Sequence, residues 1–305
     1  MTPPRRSHYV RRSGIGNPDL VPDLVGVEIR GDSAACGLSL DGPLARGDLR
    51  FIGSPDTSPE EPAALWVDDD AVTPSPPGTG CDDAGYSSIQ AAVDAAAPGD
   101  VIRVCPGAYT ENVAVAVEDL TVVSTGGAAV TTVQAAASAS VFLITSPGVS
   151  LDGFTVVPAG VADGDIGITG GFEGVLDASL VNNDIVGGRI GINIGCTSSG
   201  TSIANNTLSG QTEGGINIDT CEAPPFPGSS QNSVHHNTAC GATATASIAL
   251  GGSSNDNNVH HNTVTSISVF GSGNQVHHNT TELPIVDNGS GSTLQQNTVD
   301  PDICP

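Results

Sequence analysis

Between residues 180 and 299 the chain repeats one short pattern six times: an apolar residue, two variable residues, then Asn followed by Thr or Asp. The copies are Leu180–Asp184, Ile203–Thr207, Val234–Thr238, Val259–Thr263, Val276–Thr280 and Leu294–Thr298. Their apolar positions lie 23, 31, 25, 17 and 18 residues apart. So loose a period excludes a helical heptad and fits a coil of short β-strands whose connecting loops vary in length. A second strand type alternates with the first, as in Ile190–Ile194, Gly215–Ile218, Ser247–Leu250 and Ile267–Phe270. In such a coil strands stack about 4.8 Å apart, so equivalent residues form columns. Asn183, Asn206, Asn237, Asn262, Asn279 and Asn297 then share one column at a turn. An amide both donates and accepts, so each Asn can bond to its neighbours above and below, and the column is read as a structural ladder. The Thr column that follows needs only β-propensity to explain it; the uneven rungs do not make the regular ranks of an ice-binding surface.

Composition agrees with thin, repeated layers. The chain has 39 Gly, 21 Pro, 3% aromatic residues and no Lys, so its core must be built from small aliphatic side chains. Formal net charge is -24. Eight of the nine Arg lie at or before Arg103, leaving residues 111–305 with 17 acids against Arg189, a net 1 − 17 = -16. A phosphate backbone or an anionic lipid surface requires clustered cations, so nucleic acid and membrane are excluded as partners; an acidic polymer needs a bridging cation. Most of the acidity is read as a solubilising surface.

Seven cysteines show no zinc-binding spacing and are read as disulfides: Cys81 with Cys105, Cys196 with Cys221, and Cys240 with Cys304, leaving Cys36. Disulfides place the protein in an oxidising compartment, at the cell surface or outside it. Met1–Arg12 is basic, but no apolar run of about 7–15 residues follows, so no secretory signal or membrane span is legible and a misassigned start is the favoured reading.

Residues 1–62 show no period and are read as an irregular, partly disordered region with strands at Leu24–Ile29 and Leu49–Ile52. Residues 63–86 form a lead-in strand and a Pro- and Gly-rich linker. The β-coil occupies 87–305, beginning with a helix over 87–97 that carries a Ser cap, buries Ile89, Ala92, Val93 and Ala96, and stops at Pro98-Gly99. Asp100–Val104 is then a strand and Pro106–Glu111 a turn. A helix at that place covers the apolar layer and open strand edges that the first rung would expose.

The run Ser88–Ala96, then Gly99–Val104, then Pro106–Val113 resembles the N-terminal entry of right-handed parallel β-helix proteins of the pectin-lyase-like superfamily. Trp66–Asp70 resembles the strand that leads into that entry, and Leu151–Val156 an early rung with Phe154 where later rungs carry Asn. The resemblance covers roughly residues 64–300. It implies an all-β, single-stranded right-handed parallel β-helix with an N-terminal capping α-helix, in a superfamily that includes polysaccharide lyases, hydrolases and esterases.

Two sets of side chains could carry chemistry. Asp163, Asp165, Glu173, Asp177 and Asp184 fall on consecutive turns before the ladder, and glycoside hydrolysis needs two carboxylates at a defined separation. No paired Asp-Asp, Gly-His-Gly or esterase-like Gln-Asp segment accompanies them, and surface acids are the plainer reading. A lyase acting on uronates needs cations, and only Arg103 and Arg189 are available. His235, His236, His260, His261, His277 and His278 form three identical pairs on successive copies. Stacked imidazoles could hold a borderline metal such as zinc or copper; a partly exposed surface column is the plainer reading. No motif demands a cofactor, with Ca²⁺ and Zn²⁺ the ions these residues could take. The expectation is a secreted or cell-surface β-helix with a structural, adhesive or glycan-contacting role. The alternative is a polysaccharide-cleaving hydrolase or lyase with its carboxylates between Asp163 and Asp184. A glycan is the expected partner, and oligomeric state is left open.

Overall fold

In a computed structural model the chain divides into two compact units, Met1–Glu61 and Pro62–Pro305. The structure describes residues 64–171, 175–218, 228–241 and 246–304, with the backbone of 8–9 and 28–29. In the first unit His8–Tyr9 pairs antiparallel with Glu28–Ile29; the rest of the strands expected at 24–29 and 49–52, and Cys36, lie outside the described residues.

The second unit is a single-stranded parallel β-helix. Apart from the antiparallel pair Gly78–Gly80 and Asp83–Ala84, its described strands form three parallel sheets of ten, nine and eight strands, here sheets A, B and C. The chain visits them in rotation: Val101–Val104 in A, Gly107–Thr110 in B, Val113–Val115 in C, then Thr121–Ser124 in A again. Every described neighbour pairing within these sheets is parallel. Sheet strands alternate inward aliphatics with outward small or polar residues, so each coil adds a thin layer to one continuous core, including Val104, Val122, Leu151, Leu180, Ile203, Val234 and Val259 from sheet A. The corner between sheets B and C is tight. A Cβ on Gly191 would collide with the Leu208 side chain and the Gly215 carbonyl, which is why Ile-Gly-Ile recurs in sheet C.

The expected helix is present as α1, Ile89–Ala95, shorter than 87–97. Ser88 is its N-cap, with Oγ accepting from Ala91 N at 3.3 Å. Ile89, Ala92 and Val93 are buried against Ala64–Val67, Val101–Val104 and Val113–Val115, at the end where sheets A and C begin. Glu111 closes the helix start from the next strand, its Oε1 accepting from Ile89 N at 2.8 Å and its Oε2 from Gln90 N at 2.9 Å. Losing both bonds to the orphan amides makes Glu111→Ala cost about 1–2 kcal/mol; a thermal melt that does not move would remove this carboxylate from the account of the helix.

Pro106–Glu111 is not a turn as expected: Gly107–Thr110 is the first strand of sheet B, pairing with Thr131–Gln134. Pro-Gly marks only the corner, and the strand is held by Tyr109, which is 2% exposed and donates its hydroxyl to Cys105 O at 2.9 Å. Two expected disulfides are present, Cys81–Cys105 and Cys240–Cys304, with Cα atoms 5.7 and 5.4 Å apart. Cys196 is also disulfide-bonded; its expected partner Cys221 lies outside the described residues.

The six repeats occupy the two-residue corner from sheet A to sheet B. The residue before each ladder Asn is left-handed, with φ between 54° and 57° at Asn182, Asn205, His236, His261, His278 and Gln296. From Asn206 onward each ladder amide accepts, through Oδ1, the backbone N–H of the Asn one coil earlier, at 2.9 Å for Asn183 N to Asn206 and 3.0 Å for Asn237 N to Asn262. Its Nδ2 donates to the next Asn Oδ1 and to the carbonyl of the apolar residue one coil back, as Asn206 does to Asn237 at 3.0 Å and to Leu180 O at 2.9 Å. Asn183, Asn206, Asn237, Asn262 and Asn279 are each 1% exposed.

Candidate functional site

The expected acids stand on different corners. Asp163 and Asp165 lie on the loop entering sheet C at Ile166–Gly170. Asp177 occupies a left-handed position, φ 54°, in the corner before sheet A, and Asp184 opens the sheet B strand Asp184–Val186. Glu173 lies outside the described residues. Only the first corner gathers charge. Asp163 is fully exposed, with Oδ1 3.9 Å from Arg189 Nε, and Arg189 Nη1 is bonded to Glu213 Oε2. Arg189 Nη2 also donates to Asp163 O at 3.2 Å. Asp165 is 3% exposed; its Oδ2 accepts from Ala162 N at 2.7 Å while its Oδ1 is buried without a hydrogen bond. Asp184 has its pKa raised by burial, but it faces out of sheet B between Thr155 and Thr207 and has no second acid in its column.

The histidines do converge. His235, His260 and His277 end consecutive sheet A strands, and His236, His261 and His278 take the left-handed corner positions that follow. The inner rings stack at centroid distances of 4.9 and 5.2 Å, the outer rings at 5.0 and 4.9 Å, all within 9° of parallel. Within each pair the two Nδ1 atoms face one another at 3.0, 2.9 and 2.8 Å. Burial, then repulsion from neighbouring rings, lowers the pKa of His235 and pushes that of His260 down to about 4; His261 is lowered by desolvation and its neighbours. Among the described residues no carboxylate bonds to these rings.

A third feature lies on the outer face of sheet C. Ala114, Leu143, Thr169, Asn193, Asn217, Ala249, Ser268 and Val286 are in register across consecutive strands. None is charged. The Oδ1 atoms of Asn193 and Asn217 are buried and make no hydrogen bond, so only the rest of each side chain reaches the surface. Phe270 follows Ser268 by two residues and is 50% exposed, so by strand alternation its ring stands on the same face. An open depression near the start of this face is lined by Asn112, Ala114, Ser138, Ser140, Leu143 and Gly164, none of them titratable.

No family model matches the chain, and no curated protein matches it in sequence. Solved structures do match. An alginate lyase from Paenibacillus sp. str. FPU-7 is similar with a TM-score of 0.55 at 16% identity, over 63% of this chain and 72% of that one. A pectin methylesterase from Aspergillus niger is similar with a TM-score of 0.50 at 12% identity, over 80% of this chain and 86% of that one. The fold is a right-handed parallel β-helix, the architecture expected from the sequence. At these identities the likeness concerns architecture, and site chemistry must come from this chain's own residues.

Three parts of the β-helix escape sequence reasoning. A second ladder, Asn232, Asn257 and Asn274, fills the corner before sheet A, with Asn232 Oδ1 accepting from Thr201 N, and Asn257 Oδ1 from Asn232 N, both at 3.0 Å. The signal is an Asn two residues before each Val of the repeat. The tie from Arg189 to Glu213 has no sequence signal, since 24 residues and a whole coil separate them. Phe270 is visible only as the end of an apolar strand, and its exposure is set by the coil.

Proposed function

We propose that the protein is an extracellular β-helix that binds an uncharged glycan along the outer face of sheet C without cleaving it. The observation that carries this reading is the uncharged column of Thr169, Asn193, Asn217 and Ser268 beside the exposed ring of Phe270. Sugar recognition combines hydroxyl and amide hydrogen bonds with an aromatic face, and repeated strands present both at a regular spacing suited to a polymer. The similarity in fold to an alginate lyase and a pectin methylesterase supports a glycan as the ligand class. Acidity over the coil opposes a uronate polymer, and Arg189 is held by Glu213. The disulfides Cys81–Cys105 and Cys240–Cys304, with a further one at Cys196, support an oxidising location. No described helix is long and apolar enough to cross a membrane.

Cleavage is disfavoured because the described candidate acids occupy three corners. The polysaccharide-cleaving alternative would place its chemistry at Asp163, Asp165, Arg189 and Glu213, the one corner where charges meet. Affinity electrophoresis against mannan, galactan, β-glucan, alginate and pectin, with parallel assays for reducing ends, unsaturated products and released methanol, separates the readings. A neutral polymer is expected to retard the protein with no product formed, and Phe270→Ala to weaken binding about five- to tenfold, the worth of one aromatic contact. Product formation, preference for alginate or pectin, or indifference to Phe270→Ala overturns the proposal.

A further inference from the structure

The six histidines form a row of three paired-nitrogen sites whose geometry fits a tetragonal metal ion. Two nitrogens bound cis at about 2.05 Å with about 90° between them stand about 2.9 Å apart, whereas a tetrahedral pair stands about 3.3 Å apart. The observed Nδ1 to Nδ1 separations are 3.0, 2.9 and 2.8 Å, the span of one shared N–H···N hydrogen bond in the metal-free pair and also the bite of a cis pair on Cu(II), so an ion can replace the proton with little ring movement. We propose that His235–His236, His260–His261 and His277–His278 are three adjacent Cu(II) sites, each ion held by the two Nδ1 atoms of one pair.

The groups around the inner rings support this. His277 Nε2 lies 3.0 Å from Asn258 Oδ1, and His235 and His260 Nε2 lie 3.5 Å from Ser202 Oγ and Ser233 Oγ, each one coil earlier. At His277 the Asn258 oxygen, an acceptor, keeps the ring proton on Nε2 and leaves the Nδ1 lone pair free for a ligand; the serine hydroxyls stand where they can accept in the same way. The outer rings are exposed, so the proton that one Nδ1 shares with the other in the metal-free pair can move to a solvent-facing Nε2 when an ion takes its place. The left-handed corner sets the pairing: the residue at φ 57° turns its ring edge toward the ring before it, and the stack repeats that turn three times.

The row ends where its ligands end. One coil earlier the two positions are Ala204 and Asn205; one coil later they are Gln295 and Gln296. Capacity is therefore three ions, roughly 5 Å apart like the rings, and their mutual repulsion makes successive affinities fall. The histidine nitrogens close up only in pairs, and among the described residues the set of three ligand atoms within 4.8 Å of one another, Asp68 with Cys81 and Cys105, has its sulfurs in a disulfide and takes no metal.

Copper(II) chloride titrated into the full chain, followed by calorimetry and electron paramagnetic resonance, tests the proposal. Up to three equivalents are expected, with nitrogen superhyperfine splitting from two imidazoles per ion. The variant carrying H235Q, H236Q, H260Q, H261Q, H277Q and H278Q copies the glutamines of the following coil and is expected to lose these equivalents while keeping its circular dichroism. Should that variant not fold, H261Q alone, at an exposed ring, must remove one equivalent with an unchanged melt. Retention of copper by the folded six-fold variant, a spectrum with oxygen ligands only, no loss in H261Q, or displacement of copper by equimolar zinc overturns the assignment.

Discussion

Replacing Asn262 with leucine is expected to destabilise the β-helix by about 4 kcal/mol, more than the loss of an ordinary hydrogen bond, because several buried groups are orphaned at once. The Asn262 Oδ1 accepts from Asn237 N and Asn237 Nδ2, both at 3.0 Å. Its Nδ2 approaches Val234 O at 2.8 Å, Asn279 Oδ1 at 2.9 Å and His260 O at 3.1 Å. Leucine has similar volume but no polar atom, so packing is roughly kept while the Asn237 amide and the Val234 carbonyl are left unpaired at 1% exposure or less. The effect is also positional. Asn262 has ladder partners on both sides, whereas Asn297 is partly exposed and has no described ladder residue beyond it, so Asn297→Leu should cost about 1 kcal/mol. Urea denaturation of the two variants measures the contrast; equal midpoints would show that the column does not act through buried pairing.

That ladder was legible because one residue type holds one column through six coils. The second ladder was not, because its column changes identity: Thr201 Oγ1 donates to the Val175 carbonyl, whereas Asn232, Asn257 and Asn274 each accept a backbone amide from the coil before. A column whose occupant varies carries a weaker signal, here an Asn two residues before Val in three of the six copies. The acids are dispersed for a related reason. Asp163, Asp177 and Asp184 are near in sequence, yet a coil turns through three faces within such a span, so closeness along the chain says little about convergence. The histidines were legible as pairs and as columns; the Nδ1 to Nδ1 approach was not, since it depends on the left-handed corner and on ring orientation. Gly107–Thr110 was misread because Pro-Gly ordinarily signals a turn, and one buried ring, Tyr109, was enough to make the segment a strand.

The start of the ladder gives the second large effect: Phe154→Asn, which makes the early rung obey the repeat, is expected to lose about 3–5 kcal/mol rather than gain stability. Phe154 is fully buried, and its ring lies 5.7 Å from that of Phe142, so truncation removes aromatic packing and leaves a cavity in the core. An introduced amide could donate to Asn183 Oδ1, which already accepts from Phe154 N at 3.1 Å. Its own Oδ1 would find no donor, because the preceding coil has no two-residue corner. There Ser124 Oγ already accepts from Gly126 N at 3.2 Å and Gly127 N at 2.9 Å, and the chain runs through the short 3₁₀ turn Ala128–Val130 before sheet B resumes. An Asn is useful only beneath a corner that offers a free backbone amide, and the ladder begins at Asn183 because the Phe154 rung is the first to offer one. Phe154→Leu keeps the site apolar and should cost about 1–2 kcal/mol, so chemical denaturation of the pair separates cavity from unpaired oxygen. Equal losses in the two variants would assign the whole effect to volume and leave the start of the ladder without a hydrogen-bonding cause.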